Sequence, residues 1–107
     1  MKQHRALFRL PIDRSGELSR LEHNAPCRIV DLTSEGVRVE TALDVRPGDV
    51  LHLSFFLLPD KPIRCDLEVV TVHPPHVGGR LVNLCPADQQ CLNTFIDEFL
   101  DLNFMGM

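Results

Sequence analysis

Residues 27–41 read CRIVDLTSEGVRVET, and this stretch predicts two antiparallel strands joined by a tight turn. In its second half Val37 and Val39 alternate with charged residues, which is the period of two expected of a half-buried strand. The largely apolar run before the turn predicts a second strand, which pairs with the one after the turn. Residues 31–36 are then the connection of a hairpin, in which Gly36 is expected to take a positive φ where the chain turns back.

Alternating patterns also occur on both sides of this hairpin. The longest is IRCDLEVVTV at residues 63–72, and another begins at Leu51, with Val50 out of phase. FRLPI near the N-terminus and GRLVNL near the C-terminal end are further strand candidates. Turn-forming residues separate these segments, at Ser15-Gly16, Asn24-Ala25-Pro26, Arg46-Pro47-Gly48-Asp49, Pro59-Asp60-Lys61-Pro62 and Pro74-Pro75.

The pattern changes to helical spacing after Cys85. Pro86 suits a first helical turn, because an N–H at that position has no partner within the helix. Residues 86–103 therefore predict an amphipathic helix, whose apolar positions are Leu92, Phe95, Ile96, Phe99 and Leu100. Short strands with regular turns and one terminal helix indicate a mainly β fold, a closed or nearly closed barrel whose open end or flank the helix covers.

Length and composition indicate one globular domain over residues 1–107. The chain has 44% apolar and 24% charged residues, close to the averages of globular proteins. No apolar run reaches the roughly eighteen residues of a membrane span, and the N-terminal MKQHR lacks the apolar region of a signal peptide. We expect a cytoplasmic protein without membrane insertion.

Metal binding and catalysis find little support in the sequence. The four cysteines are scattered without a C-x-x-C spacing, so reduced and mostly buried thiols are expected, and no metal. His73 and His76 lie close, but a Pro-Pro turn separates them and no second ligand pair has suitable spacing. Asp31, Thr33 and His23 have residue types found in catalytic triads, but no nucleophile elbow in the sequence supports such a triad. We therefore expect no enzyme.

Charge is unevenly distributed along the chain. The net charge is −4, yet residues 1–20 hold five basic and two acidic side chains, while the remainder holds six basic and thirteen acidic ones. Nine of the eleven basic residues are arginine, whose planar fork suits bidentate contacts to phosphate or to a guanine edge. The acidic total and the lack of Tyr and Trp for base stacking argue against a nucleic-acid partner.

Two short motifs carry the candidate binding residues. In RALFR, Arg5 and Arg9 are four residues apart, and taken alone they fit a solvated face equally well. In DLTSEG, Asp31 and Thr33 are short oxygen-bearing side chains on the same side of an extended backbone. Taken alone, such a pair more often forms an Asx or ST turn that satisfies loop amides.

Taken together, the two motifs resemble those of the PilZ domain family. An R-x-x-x-R segment precedes the first strand, D-x-T-x-x-G follows about twenty residues later at a strand-to-strand turn, and an amphipathic helix ends the chain. VHPPHVGGRLVNL is similar to the family's final strand, so the resemblance covers nearly the whole chain. It implies a six-stranded antiparallel β-barrel that is a receptor for the bacterial second messenger cyclic di-GMP and not an enzyme.

The resemblance also implies a role for each motif residue. Arg5 and Arg9 match the paired arginines that address the ligand's phosphates and the Hoogsteen edge of guanine. Asp31 matches an Asp or Asn that accepts hydrogen bonds from guanine N1–H and the amino group. Thr33 stands where Ser is more usual, and it keeps the hydroxyl while adding a methyl group. Gly36 matches the glycine that lets the backbone turn tightly beside the ligand.

Residues 1–10 are expected to be a flexible segment that the ligand bridges to the barrel. His4, beside the first arginine, is a candidate modulator of whether one ligand or an intercalated pair binds. The signal would pass to an unknown downstream protein or through a homo-oligomer, in biofilm or motility control. Phe56 is a candidate contact for such a partner unless the C-terminal helix covers it. The alternative is a PilZ-like adaptor for type IV pilus or flagellar machinery that binds no nucleotide.

Overall fold

Six strands and one helix account for most of the residues that the structure describes. The computed structural model describes residues 9–33 and 36–105, with side chains up to residue 99. The elements are β1 (Leu10–Arg20), β2 (His23–Leu32), β3 (Gly36–Thr41), β4 (Val50–Leu58), β5 (Lys61–His73), β6 (His76–Val82) and α1 (Pro86–Met105).

Every strand pairs with two antiparallel neighbours, so the sheet closes on itself. The order around the barrel is β1-β2-β3-β6-β5-β4, and β4 pairs with β1 to complete the circle. Four of the pairs are hairpins, while β3 with β6 and β1 with β4 join segments distant in sequence. The expected six-stranded antiparallel barrel with a C-terminal helix is confirmed. Closure leaves no free edge among the described strands.

The barrel interior is filled by the alternate residues that the sequence pattern predicted. On β4, Leu51, Leu53, Phe55 and Leu57 are each 1% exposed, whereas Phe56 is 51% exposed. Burying a side chain of this size contributes about 1.5–3 kcal/mol to the free energy of unfolding. Phe55 thus faces the core, while about half of Phe56 remains open to solvent.

The C-terminal helix packs against the barrel core. It begins at the predicted proline and ends at Met105, two residues beyond the predicted end. Leu92 and Ile96 on its apolar face are buried in the common core. Arg14 of β1 adds a cation–π contact, with its Cζ 5.8 Å from the centroid of the Phe95 ring. No helix in the described part of the chain is long and apolar enough to cross a membrane.

The predicted turn at Ser15-Gly16 is wrong, because the chain continues there as strand β1. Gly16 lies opposite Cys27 on one side and Phe55 on the other. A Cβ at Gly16 would lie 2.8 Å from the Ser54 carbonyl oxygen. The glycine therefore serves the close approach of neighbouring strands rather than a turn.

The predicted turn at Asn24-Ala25-Pro26 is also wrong, because these residues belong to β2. The β1–β2 turn lies at Leu21-Glu22, and Leu21 has a φ of 54°. β1 and β2 pair along nearly their full lengths, which moves the turn to the ends of both strands. The other predicted turns have turn residues at 47–48, 59–60 and 74–75, but Lys61 and Pro62 of the third predicted turn belong to β5.

The four thiols differ in burial. Cys27 and Cys65 are buried, Cys91 is partly buried and Cys85 is exposed, and none forms a disulfide. The expectation of mostly buried thiols therefore holds for Cys27 and Cys65 and is wrong for Cys85. Burial raises the pKa of Cys27 to about 11 and that of Cys65 to about 12, since the apolar interior disfavours the thiolate.

We expect alkaline pH to destabilise the fold through Cys27 and Cys65. In the unfolded chain these thiols lose their protons near the ordinary pKa of 9.0. In the folded chain their pKa is about 11 or above, so they keep their protons to a higher pH. The contribution of the two thiols to the free energy of unfolding is therefore fully present below pH 9.0, and it is lost as the pH rises through 11. Urea unfolding followed by circular dichroism measures this decline. An undiminished decline in the Cys27→Ala, Cys65→Ala double variant would contradict the assignment, and Cys85→Ser is the matched control.

Candidate functional site

A cavity of about 420 Å³ opens beside β3, the strand between β2 and β6. Its walls come from the residue before β1, from both sides of the β2–β3 turn, and from β5 and β6. The lining residues are Arg9, Asp31, Leu32, Thr33, Gly36, Val37, Arg38, Val70, Thr71, His73, Gly78, Gly79 and Arg80. Segments distant in sequence therefore meet at this place on the barrel.

Four of the five residues expected to bind the ligand line this cavity together. They are Arg9, Asp31, Thr33 and Gly36. Arg5 and the candidate modulator His4 lie outside the described residues. The fold thus brings the second arginine of RALFR to the DLTSEG hairpin, although about twenty residues separate the two motifs.

A β-bulge at Val30 places Asp31 at the cavity. Ile29 pairs with Val39, but Asp31 pairs with Arg38, so β2 has one residue more than β3 in this interval. Strict alternation would direct Asp31 to the same side as Ile29, into the core. The extra residue shifts the alternation and sets Asp31 beside Arg38 instead.

A second bulge, at Val70, shapes the part of the cavity wall that β5 forms. Val69 pairs with Gly79 and Thr71 pairs with Gly78, which leaves Val70 as the extra residue of β5. Val70 is 51% exposed and lines the cavity together with Thr71. The bulge therefore supplies an apolar surface beside a charged rim. Bulges are common next to binding sites because they redirect side chains.

Asp31 is a nearly buried charge in this site. Its side chain is 11% exposed, and its Oδ2 lies 2.5 Å from Nη2 of Arg38, whose side chain is 46% exposed. The contact is an ion pair without hydrogen-bond geometry, since Oδ2 accepts no hydrogen bond from any described residue. A buried carboxylate oxygen without a hydrogen bond can accept an N–H donor once a neighbouring group makes room for it.

Sequence reasoning does not single out Arg38. Its position in GVRVET predicts only an outward-facing strand residue, and its pairing with Asp31 depends on the bulge. The one local signal is its charge, since an arginine two residues after Gly36 lies across the hairpin from an aspartate.

Thr33 closes the β2–β3 turn. Its amide donates to the Gly36 carbonyl oxygen at 2.9 Å, and its Oγ1 accepts a hydrogen bond from the Gly36 amide, also at 2.9 Å. The structural alternative, in which the hydroxyl satisfies a loop amide, is therefore confirmed for Thr33. For Asp31, the contact among the described residues is the ion pair with Arg38.

The expected positive φ at Gly36 is wrong. Among the described glycines only Gly48 has a positive φ, at 95°. Gly36 is needed for space instead, because a Cβ there would lie 2.6 Å from the Gly79 carbonyl oxygen on β6. The absence of a side chain lets β3 and β6 pair closely in the cavity wall.

The cavity rim is rich in positive charge. Arg9, Arg38 and Arg80 line it together with His73. Arg80 is also paired with Glu68, with its Nη2 2.6 Å from Glu68 Oε1. Within the described residues, no group of three or more His, Cys, Asp or Glu is placed to hold a metal ion. Three guanidinium groups and one nearly buried carboxylate suit an anionic ligand that also carries N–H donors.

Solved structures with a similar fold include that of the Bacillus subtilis inhibitor of motility (MotI/DgrA). It has a TM-score of 0.74 and 18% identity, over 87% of this chain and 49% of that one. Escherichia coli YcgR in complex with c-di-GMP has a TM-score of 0.74 and 16% identity, over 92% of this chain and 47% of that one. The PilZ domain of Escherichia coli YcgR with c-di-GMP has a TM-score of 0.68 and 13% identity, over 85% and 87% of the two chains.

These likenesses show the fold alone, because the identities are low. The chain spans about half the length of MotI and of YcgR. No curated protein sequence matches it. The family model of the PilZ domain matches residues 3–98, a span that includes RALFR and DLTSEG, all six described strands and most of the helix. The chain belongs to the PilZ domain family.

Proposed function

We propose that this PilZ domain is a receptor for cyclic di-GMP, which binds in the cavity beside β3. The observation that carries the proposal is the convergence of Arg9, Asp31, Thr33 and Gly36, from two separate motifs, on one cavity. PilZ domains are receptor and adaptor domains, and the similar Escherichia coli YcgR has been solved in complex with c-di-GMP.

Arginine side chains provide the contacts to the anionic part of the ligand. Cyclic di-GMP carries two phosphodiester charges, and a guanidinium donates two parallel N–H bonds to a phosphate or to guanine O6 and N7. Arg9 lines the cavity and supplies one such group. Arg5 supplies the second from the N-terminal segment. The excess of basic residues in the first twenty also attracts a dianion to this end of the domain.

Asp31 provides the contact to the other guanine edge. Guanine N1–H and its amino group are adjacent donors, and a carboxylate has two oxygens that accept them together. The near burial of Asp31 favours this exchange, because a carboxylate away from water gains more from each N–H donor. Thr33 and Gly36 hold the turn that presents Asp31, through the paired hydrogen bonds between them.

The domain at residues 1–107 passes on the signal through its N-terminal segment. Arg9 immediately precedes β1, so a ligand that holds it against the hairpin also restrains residues 1–10. The restrained segment changes the surface that a downstream protein or a second copy of the chain meets in the cytoplasm. Phe56, half exposed on β4, is an apolar group available to such a partner.

Isothermal titration calorimetry with cyclic di-GMP tests the proposal. We expect saturable binding that GTP and cyclic di-AMP do not reproduce. GTP has a single guanine, and adenine presents the acceptor N1 where Asp31 requires a donor. The stoichiometry distinguishes one ligand from an intercalated pair. If neither heat nor a shift in Tm appears at saturating cyclic di-GMP, the receptor function is excluded and the adaptor alternative is favoured.

A further inference from the structure

Arg38 lies outside both motifs but is paired with Asp31, the residue proposed above to accept the guanine donors. We propose that Arg38 competes with the guanine base for Asp31 and thereby sets the affinity of the cavity for cyclic di-GMP. This inference rests on the proposed function and adds a residue that determines affinity without being required for binding.

Arg38 and the guanine base need the same oxygen of Asp31. A guanine that donates from N1–H and from its amino group uses both carboxylate oxygens side by side. One of these, Oδ2, is already held 2.5 Å from Nη2 of Arg38. Because the Asp31 side chain is only 11% exposed, its oxygens are reached from the cavity, and Arg38 lines that cavity. The guanidinium must therefore move before the base is fully bound.

The geometry of the pair makes this exchange feasible. The contact lacks hydrogen-bond alignment, and the Arg38 side chain is 46% exposed, so water solvates the guanidinium when it leaves. Asp31 is nearly buried and needs new donors in return. Guanine supplies two donors, whereas a base without them leaves an unpaired carboxylate. The Arg38 pair therefore reduces guanine affinity without preventing guanine binding.

Calorimetry with Arg38→Met tests the competition. Methionine keeps an unbranched apolar stem and removes the guanidinium. We expect cyclic di-GMP to bind about two- to fivefold more tightly, the size expected for loss of a partly exposed ion pair. The titrations are made at high salt, which screens the general attraction between arginine and a dianion. Arg80→Met is the matched control, since Arg80 lines the same cavity but is paired with Glu68, and this variant should not bind more tightly.

A double-mutant cycle assigns the effect to Asp31. In the Asp31→Asn background the Arg38→Met substitution should no longer tighten binding, because the competing ion pair is already absent. Without ligand, Arg38→Met should lower the free energy of unfolding in the chain that retains Asp31, and less in the Asp31→Asn background. Urea unfolding followed by circular dichroism measures this second cycle.

Three outcomes would overturn the inference. If the Arg38→Met variant binds cyclic di-GMP more weakly than the Arg80→Met variant does, Arg38 contacts the ligand directly. Equal effects of Arg38→Met in both Asp31 backgrounds would show that it acts independently of Asp31. Absence of cyclic di-GMP binding by the unsubstituted chain would remove the proposed function and the competition with it, and the titration of that chain reveals this case separately.

Discussion

Replacing Arg9 with alanine should weaken cyclic di-GMP binding by about 30- to 150-fold, which corresponds to roughly 2–3 kcal/mol. Arg9 is an exposed residue just before β1, and it lines the cavity that contains Asp31 and Thr33. Its guanidinium is thus placed to meet an anionic ligand and contributes little to the barrel core. The affinity measured by calorimetry should fall while the urea unfolding curve of the ligand-free variant stays unchanged.

The matched control for this experiment is Arg28→Ala. Arg28 is an exposed arginine on β2 that pairs with Glu40 at 2.9 Å and does not line the cavity. Its loss changes the net charge equally, and binding should weaken by no more than about twofold, since a distant charge is screened by salt. Equal weakening in both variants would mean that Arg9 acts only through net charge. Unchanged affinity in Arg9→Ala would remove Arg9 from the site.

Replacing Phe55 with alanine should lower the free energy of unfolding by about 3–5 kcal/mol. Phe55 is 1% exposed and lies inside the barrel, where Gly16 opposes it on β1. Truncation removes most of a buried aromatic ring and leaves a cavity that a closed sheet has little freedom to collapse. Because a domain of this size is stable by only about 5–15 kcal/mol, this loss is a large part of the total.

Phe56→Ala provides a control of identical chemistry at the next position of the same strand. Phe56 is 51% exposed, so its truncation should cost no more than about 1 kcal/mol. Urea unfolding followed by circular dichroism is the suitable measurement, since the chain has no Trp or Tyr to report by fluorescence. Similar losses for the two variants would contradict the assignment of Phe55 to the core and Phe56 to the surface.

The strands and the helix were largely predictable from the sequence, because their burial patterns are local. The alternation in IRCDLEVVTV predicted that Ile63, Cys65 and Leu67 face the core, and all three are buried. The two errors arose at Ser15-Gly16 and Asn24-Ala25-Pro26, where turn-forming residues lie inside long paired strands. Residue preference predicted a turn there, but pairing with neighbouring strands determined the local structure.

The candidate site was predictable in part. Arg9, Asp31, Thr33 and Gly36 were identified through their motifs, and the structure places them around one cavity. The motif spacing did not indicate Arg38, because its contact with Asp31 requires a register shift that no local pattern reports.

The sequence by itself determined which residues alternate between core and solvent and where the helix begins. These properties depend on neighbours within a few positions, which is the range over which periodicity and motif spacing act. Only the tertiary structure decided that Asp31 faces the cavity, that Arg38 occupies its carboxylate, and that Gly36 is needed for space. Each of these depends on pairing between strands, since a bulge shifts side-chain direction and the approach of β3 to β6 joins segments about forty residues apart.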